Sequence, residues 1–525
     1  MPRMDLDHDA CYRAVKQRDA RFDGRFFTAV KTTGIYCRPI CPARTPLAKN
    51  VTFFPTAAAA QEAGFRPCLR CRPETAPDMG AWRGTSNTVS RGLALIELGA
   101  LDESDVEGLA LRLGLGERQL RRLFRKHLGA SPIAVAQTRR LLLAKQLVHE
   151  TRLPMTQIAF AAGFGSIRRF NETFQTLYGR PPSQLRRLAG EDIEVPENGV
   201  IDLRLSYQPP YDWPAMLSFL AARAIPGIER VELGSYARTF SLEGTQGTVT
   251  VRAAAGNALQ ASVRTTKLAV LPQVIARLRR VFDLAADPVA IAAHLSTDPA
   301  LARWVAKRPG LRVPGAWDGF ELAVRAVLGQ QITLGGAARL AGRLVFAYGE
   351  PMAAPQSALT HVFPLPQRLA CARLAALGMP ASRAAALSAV AAAIVADPDL
   401  LTAHLGLDEA VKRLRSIRGV GEWTAQYIAL RQLREPDAFP ASDLGLMRAL
   451  AVSRERRPSP AELLARAERW RPWRAYAAQH LWAASAEGAS LPRESGPDRA
   501  GKRQHRSASM PLPVRTIVPP GHGLS

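Results

Sequence analysis

Apolar residues change their period along the chain, and each change marks a different kind of element. Near the N-terminus, Phe26-Phe27-Thr28-Ala29-Val30 and Val51-Thr52-Phe53-Phe54-Pro55 are short β-prone runs. Between them Gly34 predicts a turn, and Pro39 limits regular structure just beyond Cys37, which leaves Cys37 on a strand end or loop. Residues 57–63 read as a short helix stopped by Gly64. From Val106 the spacing becomes helical. A helix from Val106, a turn at Gly114 and Gly116, and a helix from Glu117 to Phe124 make one unit. A helix from Met155, a turn at Gly163-Phe164-Gly165, and a helix from Ser166 to Phe174 make a second. Between them, 133–150 carries apolar residues at helical spacing, which sets Arg139, Arg140 and Lys145 on the solvent side. Phe124, Phe164, Phe170 and Phe174 are assigned to the core.

Pro196 and Asn198-Gly199 mark a linker. Beyond it, 247–252 and 259–263 alternate with the period of a strand, while 214–224 and 273–284 are helical runs, a mixed α+β pattern. Residues 311–487 read as mostly helical. From Gly488 the chain is rich in Pro, Arg, Ser and Gly and is expected to be a disordered basic tail. A chain of 525 residues holds several domains, and the pattern divides it at 1–80, 85–190, 196–310, 311–487 and 488–525. The fold class is multidomain, mainly α with α+β parts.

Charge adds a partner. The net charge is +25, which argues for a polyanion, most simply nucleic acid. The excess is concentrated between 112 and 190, where 15 Arg or Lys stand against 3 Asp or Glu, a net of +12. The start of the chain carries acids where a signal peptide needs a basic end. The Ala-rich stretch 381–396 is broken by Ser382, Arg383 and Ser388 and is too short to span a membrane. A cytoplasmic protein with no membrane partner is expected.

Six cysteines are present, too few for a disulfide framework, and a reducing compartment fits. Cys11 and Cys371 are expected to be buried thiols. The other four read C-x3-C at Cys37 and Cys41, then C-x2-C at Cys68 and Cys71. Two close pairs separated by a loop can converge tetrahedrally on one Zn2+. Such a site either holds structure alone or offers a thiolate to be consumed as a nucleophile. The P-C-x-x-C piece also occurs in zinc deaminases, but their upstream H-x-E is missing here.

Residues 26–73 resemble the N-terminal domain of the Ada family of bacterial DNA-alkylation response proteins, through TTGIYCRP, NVTFFPT and GFRPCLRC. The resemblance implies a small zinc-binding α/β domain in which Cys37, Cys41, Cys68 and Cys71 bind Zn2+. It also implies that Cys37 irreversibly takes a methyl group from a DNA methylphosphotriester. A zinc-bound cysteine stays a thiolate at neutral pH. Four thiolates on one divalent ion leave the cluster anionic. Methylating one removes a negative charge, so repulsion from phosphates falls and DNA binding strengthens. The Ada family's usual C-terminal methyltransferase, with its P-C-H-R sequence, is not found. Suicide repair of methylguanine is not expected.

The stretch AFAAGFGSIRRFNETFQTLYGRPP resembles the second helix-turn-helix of AraC-type regulators. Two such motifs in tandem imply a promoter-reading domain, with Arg118, Gln119, Arg121 and Arg122, then Ser166, Arg168, Arg169 and Asn171, as candidate readers. A transcription activator implies RNA polymerase as a further partner.

YQPPYDWPAMLSFLAARAIPGIE resembles the non-catalytic α+β N-terminal domain of AlkA-type DNA glycosylases. At 414–427, LRSIRGVGEWTAQY reads as a helix, a hairpin at Gly419 and Gly421, and a second helix whose first amides suit a phosphate oxygen. Asp443 follows, at a position that also suits a helix N-cap. Together these resemble the all-α helix-hairpin-helix glycosylases. VRAVLGQQ at 324–331 and WRPWRAYAAQHLW at 470–482 bring the resemblance to AlkA.

That resemblance implies an aromatic base pocket of Trp423, Tyr427 and Trp482, with Asp443 catalytic. Electron-rich rings attract a cationic base by about 0.5–2 kcal/mol, and the base is flipped out of the duplex to reach them. Asp443 would stabilise positive charge on the sugar and orient the water. Lyase relatives carry Lys where this chain has Trp423, so a monofunctional glycosylase is expected. No second cysteine cluster offers an iron–sulfur site. The family fills the duplex gap with an apolar residue. The matching position here is Gln331, beside Gln330, a departure from the pattern.

The expectation is a bifunctional DNA-alkylation repair and response protein acting on double-stranded DNA, alkylated and promoter. The alternative is a damage-sensing transcription factor whose C-terminal half binds DNA without excising bases.

Overall fold

The computed structural model describes residues 7–77, 87–188, 200–402, 406–451 and 457–486. The expected linker at Pro196 and the tail 488–525 lie outside the described residues. The first sheet contains β1 (Phe27–Val30), β2 (Ile35–Cys37), β3 (Val51–Phe54) and β4 (Arg66–Pro67), in the order β3-β1-β2-β4. β1 pairs antiparallel with β2 and β3, and β4 lies parallel to β2. Gly34, at φ +64°, turns the chain between β1 and β2. Cys37 is the last residue of β2. The helix Ala57–Glu62 is N-capped by Thr56 and buries Ala58, Ala59 and Ala60.

The two helix-turn-helix units form as the spacing predicts. Val106–Arg112 and Glu117–Leu128 make the first, Met155–Ala161 and Ile167–Tyr178 the second. The helix Pro132–Glu150, capped by Ser131, runs between them. Phe124, Phe164, Phe170 and Phe174 are all buried.

Lys145 corrects the amphipathic reading of that central helix. Its side chain is completely buried, with Nζ 2.6 Å from Glu74 Oε2 and 2.9 Å from the carbonyl oxygen of Cys68. The face that would be wet on an isolated helix is covered by the cysteine-bearing region. Arg72 continues the chain of charge, 3.1 Å from Glu74 and 2.9 Å from Glu150. Gln146 then donates to Glu150 at 2.9 Å and to the carbonyl of Arg204 at 2.8 Å.

Arg204 lies on β5 (Val200–Ser206), the edge of a second sheet with β6 (Glu229–Glu232), β7 (Ser235–Leu242), β8 (Thr245–Ala254) and β9 (Ala258–Thr265). Its order is β5-β9-β8-β7-β6, antiparallel throughout. Alternation puts Ile201, Leu203 and Leu205 on the buried face of β5. These residues share one hydrophobic cluster with Leu147 of the central helix and with Ile158, Phe170 and Phe174 of the second helix-turn-helix unit. Full burial of each such side chain contributes about 1.5–3 kcal/mol, so the two regions meet through a core rather than a wet seam. The expected helices of this region appear as Trp213–Ala221 and Leu271–Val281. A further link ties the first region to the helical remainder, where Arg25 pairs with Asp287 at 2.5 Å.

The remainder is helical around its own core, with one hairpin of β10 (Glu350–Gln356) and β11 (Leu359–Val362). Among the described residues no helix is long and apolar enough to cross a membrane. Cys11 is buried as expected, but Cys371 is exposed. It ends the short helix Pro366–Ala370, in which Leu369 takes the buried position.

Replacing Lys145 with Met strips the buried Glu74 of its fully buried partner, leaving only the partly exposed Arg72, and is expected to cost about 3 kcal/mol. The paired change Lys145→Met with Glu74→Leu should recover most of that loss. Urea unfolding of both variants measures it; equal losses in the two would mean that the pair does not hold this interface.

Candidate functional site

Four sulfurs meet at one end of the first sheet. The Sγ atoms of Cys37, Cys41, Cys68 and Cys71 all lie within 4.8 Å of one another. β2 delivers Cys37, and β4, parallel beside it, leads directly into Cys68. The backbone amide of Cys68 donates to the carbonyl of Tyr36 at 3.0 Å, which locks the two pairs in register. Cys68 and Cys71 are buried; Cys37 and Cys41 are half-buried and accessible.

The donor set fits zinc. A tetrahedral ion with bonds of about 2.3 Å sets sulfurs about 3.8 Å apart, within the observed spread. The amide of Arg38 points at Cys71 Sγ (3.3 Å) and that of Arg70 at Cys68 Sγ (3.4 Å), as donors to thiolates do. Left to themselves the thiols oppose one another. Cys37 is pushed up, chiefly by hydrogen bonding to Cys41, while Cys68 is pulled down, chiefly by hydrogen bonding to Cys37. Only a cation at their centre lets all four be thiolates together. The Arg38 guanidinium is held by Asp23 and donates to Thr75 Oγ1 at 2.5 Å and the Cys71 carbonyl at 3.3 Å, bracing the site from behind.

A second site lies far along the chain, in a cleft of about 1110 Å3. One wall is the helix Glu422–Arg431, which presents Trp423 and Tyr427 one turn apart. Their rings stack at 5.2 Å and 13°, and Trp482 meets Tyr427 edge-on at 6.4 Å. Asp443 is held between the two indoles. Trp423 Nε1 donates to Oδ2 at 2.7 Å, and Trp482 Nε1 to Oδ1 at 2.9 Å. Oδ1 also accepts the amide of Leu446 at 3.0 Å, so Asp443 is the N-cap of Leu444–Ala449 as well. A carboxylate has about four lone-pair sites, and three donors leave room for one more. Gly445 keeps that space open, since a Cβ there would stand 2.9 Å from Asp443 Oδ1 and 3.2 Å from Trp482.

The pocket helix begins at the hairpin. Leu407–Arg415 ends, Gly419 turns at φ +84°, and Gly421 occupies the N-cap of Glu422–Arg431. A Cβ on Gly419 would collide with Ala386, while one on Gly421 would meet nothing. The first-turn amides have no side-chain cap, and the space beside Gly421 is open. Gln330 is bound inward. Its Nε2 donates to the Gly419 carbonyl at 3.0 Å and to Thr424 Oγ1 at 3.1 Å. Gln331 is exposed at φ +56°, a conformation that costs a non-glycine residue about 1–2 kcal/mol.

Comparison with known proteins decides the family. Residues 10–74 match the metal binding domain of Ada, residues 109–188 a helix-turn-helix domain, and residues 202–318 the AlkA N-terminal domain. The "Probable bifunctional transcriptional activator/DNA repair enzyme AlkA" of Mycobacterium tuberculosis is 44% identical over 481 residues, covering 91% of this chain and 96% of the relative. The chain belongs to this bifunctional AlkA family. Two Escherichia coli proteins each match part of the chain. DNA-3-methyladenine glycosylase 2 is 39% identical over 284 residues, covering 53% of this chain and 95% of that protein. The bifunctional transcriptional activator/DNA repair enzyme Ada is 34% identical over 192 residues, covering 36% of this chain and 52% of that protein.

Within the family frame, the candidate DNA readers sort by their partners. Arg118, Gln119, Arg122, Arg169 and Asn171 are exposed on their helices. Arg121 pairs with Glu117 at 2.5 Å and Arg168 with Glu172 at 2.7 Å along the same helix turns. Ser166 is the N-cap of Ile167–Tyr178, accepting from the Arg169 amide. Sequence reasoning missed Arg431, which lines the cleft beneath Tyr427 and Trp482. The signal was available, because 423, 427 and 431 repeat every four residues and share a helix face.

Metal analysis of the full chain is expected to give one zinc ion per chain, and Cys68→Ala to lose it. Zinc retained at full occupancy by the variant would mean that the quartet is not the site.

Proposed function

We propose that this chain excises alkylated bases from DNA at Asp443 and takes a methyl group from DNA methylphosphotriesters onto Cys37, which turns it into a transcription activator. The observation that carries the first activity is the carboxylate of Asp443 suspended between two indole N–H groups beside stacked aromatic rings. The N-cap role accounts for one contact of Asp443, and the two indole donors aim the rest of the carboxylate at the cleft.

A flipped base enters between Trp423, Tyr427 and Trp482, whose faces favour the positive charge of an alkylated purine. The open amides after Gly421 grip the backbone phosphate nearby. Asp443 then faces the sugar. As the C1′–N bond breaks, its charge stabilises the oxocarbenium-like centre, and its remaining lone pair orients the water that adds to C1′. The two indoles hold the carboxylate in one orientation, so little reorganisation is needed at the moment of reaction.

At the other end of the chain, zinc, when bound, keeps the four sulfurs as thiolates at neutral pH. Cys37 stands at an accessible strand end. Its sulfur attacks the methyl carbon; the S–C bond forms, and the C–O bond breaks with its electron pair left on the phosphate. The products are S-methylcysteine and an ordinary phosphodiester. The reader helices carry Arg118, Gln119, Arg122, Arg169 and Asn171 outward for promoter DNA, and RNA polymerase is the partner that activation requires.

Asp443→Asn is expected to lower base release from alkylated duplex DNA by about 100-fold or more; the Asn oxygen keeps the helix cap, while Trp423 Nε1 loses its acceptor. Undiminished release would remove the mechanism. Cys37→Ser should abolish methyl uptake from methylphosphotriester DNA. Peptide mass spectrometry reads this directly, and a methyl group found on Cys41 instead would reassign the acceptor.

A further inference from the structure

The base pocket carries a cation of its own. Arg431 follows Tyr427 by four residues on the pocket helix and is 2% exposed. Its guanidinium carbon lies 5.2 Å from the ring centres of both Tyr427 and Trp482, and 4.5 Å from that of Phe219. Nη1 donates to the Pro314 carbonyl at 2.9 Å and Nη2 to Gln479 Oε1 at 3.1 Å. Nε is buried with no hydrogen-bond partner. All of these neighbours are neutral. Among the described residues no carboxylate forms an ion pair with Arg431, unlike the buried Arg238 and the half-buried Arg325, which pair with Glu229 and Glu321 on the same cleft. Its field is therefore not cancelled locally, and low-dielectric walls carry it into the cavity. Arg223 adds a second guanidinium, 3.9 Å over the Phe219 ring.

We propose that Arg431 is a specificity-determining residue of the base pocket, stabilising the negative charge that a neutral lesion base takes with it when the glycosidic bond breaks. The proposal rests on the glycosylase reading. In that hydrolysis the C1′–N electron pair stays on the base, and the water oxygen bonds to C1′. A cationic alkylated purine departs neutral, and the water proton is released to solvent. A neutral purine departs as an anion and takes up that proton afterwards. Asp443 assists both by stabilising the sugar. Only the second gains from a cation at the base end. The aromatic rings alone favour cationic lesions; Arg431, behind those rings, widens the range toward neutral ones.

The cation persists at neutral pH, since burial brings Arg431 down only to about 10. Its field is felt in the pocket: burial raises the Tyr427 phenol, yet the Arg431 and Arg223 guanidiniums outweigh it and leave that phenol below its ordinary value.

The test compares single-turnover release of 7-methylguanine, a cationic base, with that of hypoxanthine, a neutral one, from otherwise identical duplexes by the full chain. Arg431→Met should lower hypoxanthine release at least about tenfold more than 7-methylguanine release, and Arg431→Lys should restore most of the ratio. Gln479→Glu neutralises the guanidinium without removing its packing and should shift the ratio in the same direction, which covers the case in which Arg431→Met does not fold. Equal losses for both bases in Arg431→Met, or an unmoved ratio in Gln479→Glu, would overturn the proposal. So would a wild-type chain that releases 7-methylguanine but not hypoxanthine. If the wild type releases neither base, the glycosylase reading itself falls, a result distinct from an unmoved ratio.

Discussion

A lysine ammonium without water keeps its charge only if a carboxylate stands beside it. That constraint fixes how the N-terminal half of this molecule is put together. Lys145 and Glu74 are both fully buried, and the same ammonium takes the carbonyl of Cys68, a residue of the sulfur quartet. The central helix cannot slide or turn without stranding one of the two charges. From it, Arg139 reaches the Ile96 carbonyl, Arg140 reaches Asp102, and Gln146 reaches β5. One helix therefore ties together the cysteine-bearing region, the segment ahead of the first helix-turn-helix unit and the edge of the second sheet. The quartet and the ammonium that holds this arrangement share a residue, Cys68, whose sulfur faces one and whose carbonyl binds the other.

The two ends of the molecule use carboxylates in opposite ways. Glu74 is neutralised by a cation and serves architecture. Asp443 is held by neutral donors, two indoles and an amide, so its charge remains available to whatever enters the cleft. Arg431 is the mirror case, a guanidinium held by neutral acceptors and ring faces. The cleft thus leaves Asp443 and Arg431 without an ion-pair partner among the described residues, while Glu229, Arg238, Glu321 and Arg325 cancel one another in its wall.

Much of this was legible in the chain. Short β-prone runs, paired turn glycines and four-residue spacing located the strands, both helix-turn-helix units and the hairpin, because each depends on neighbours close in sequence. The cysteine spacing foretold the quartet for the same reason. What escaped was long-range. Lys145 reads as a wet position on an amphipathic helix, and only the covering by the cysteine-bearing region, seventy-one positions earlier at Glu74, makes it buried. Cys371 reads as an apolar residue, yet its neighbour Leu369 takes the inward place. The shared core between the second helix-turn-helix unit and β5 left no mark in either segment, since each reads as half-buried on its own.

The hairpin and the pocket belong to one piece of rigid backbone. The amides open after Gly421 begin a helix that carries Trp423, Tyr427 and Arg431 at successive turns, about 6 Å apart along its axis. The distance from open helix end to ring to buried cation is therefore a length of α-helix, a ruler cut into the chain. Adding one residue to its first turn would swing every later side chain by about 100°, pointing the rings away from the cleft while the hairpin stayed in place. Point substitutions along this helix can be absorbed one at a time, but a change in its length cannot.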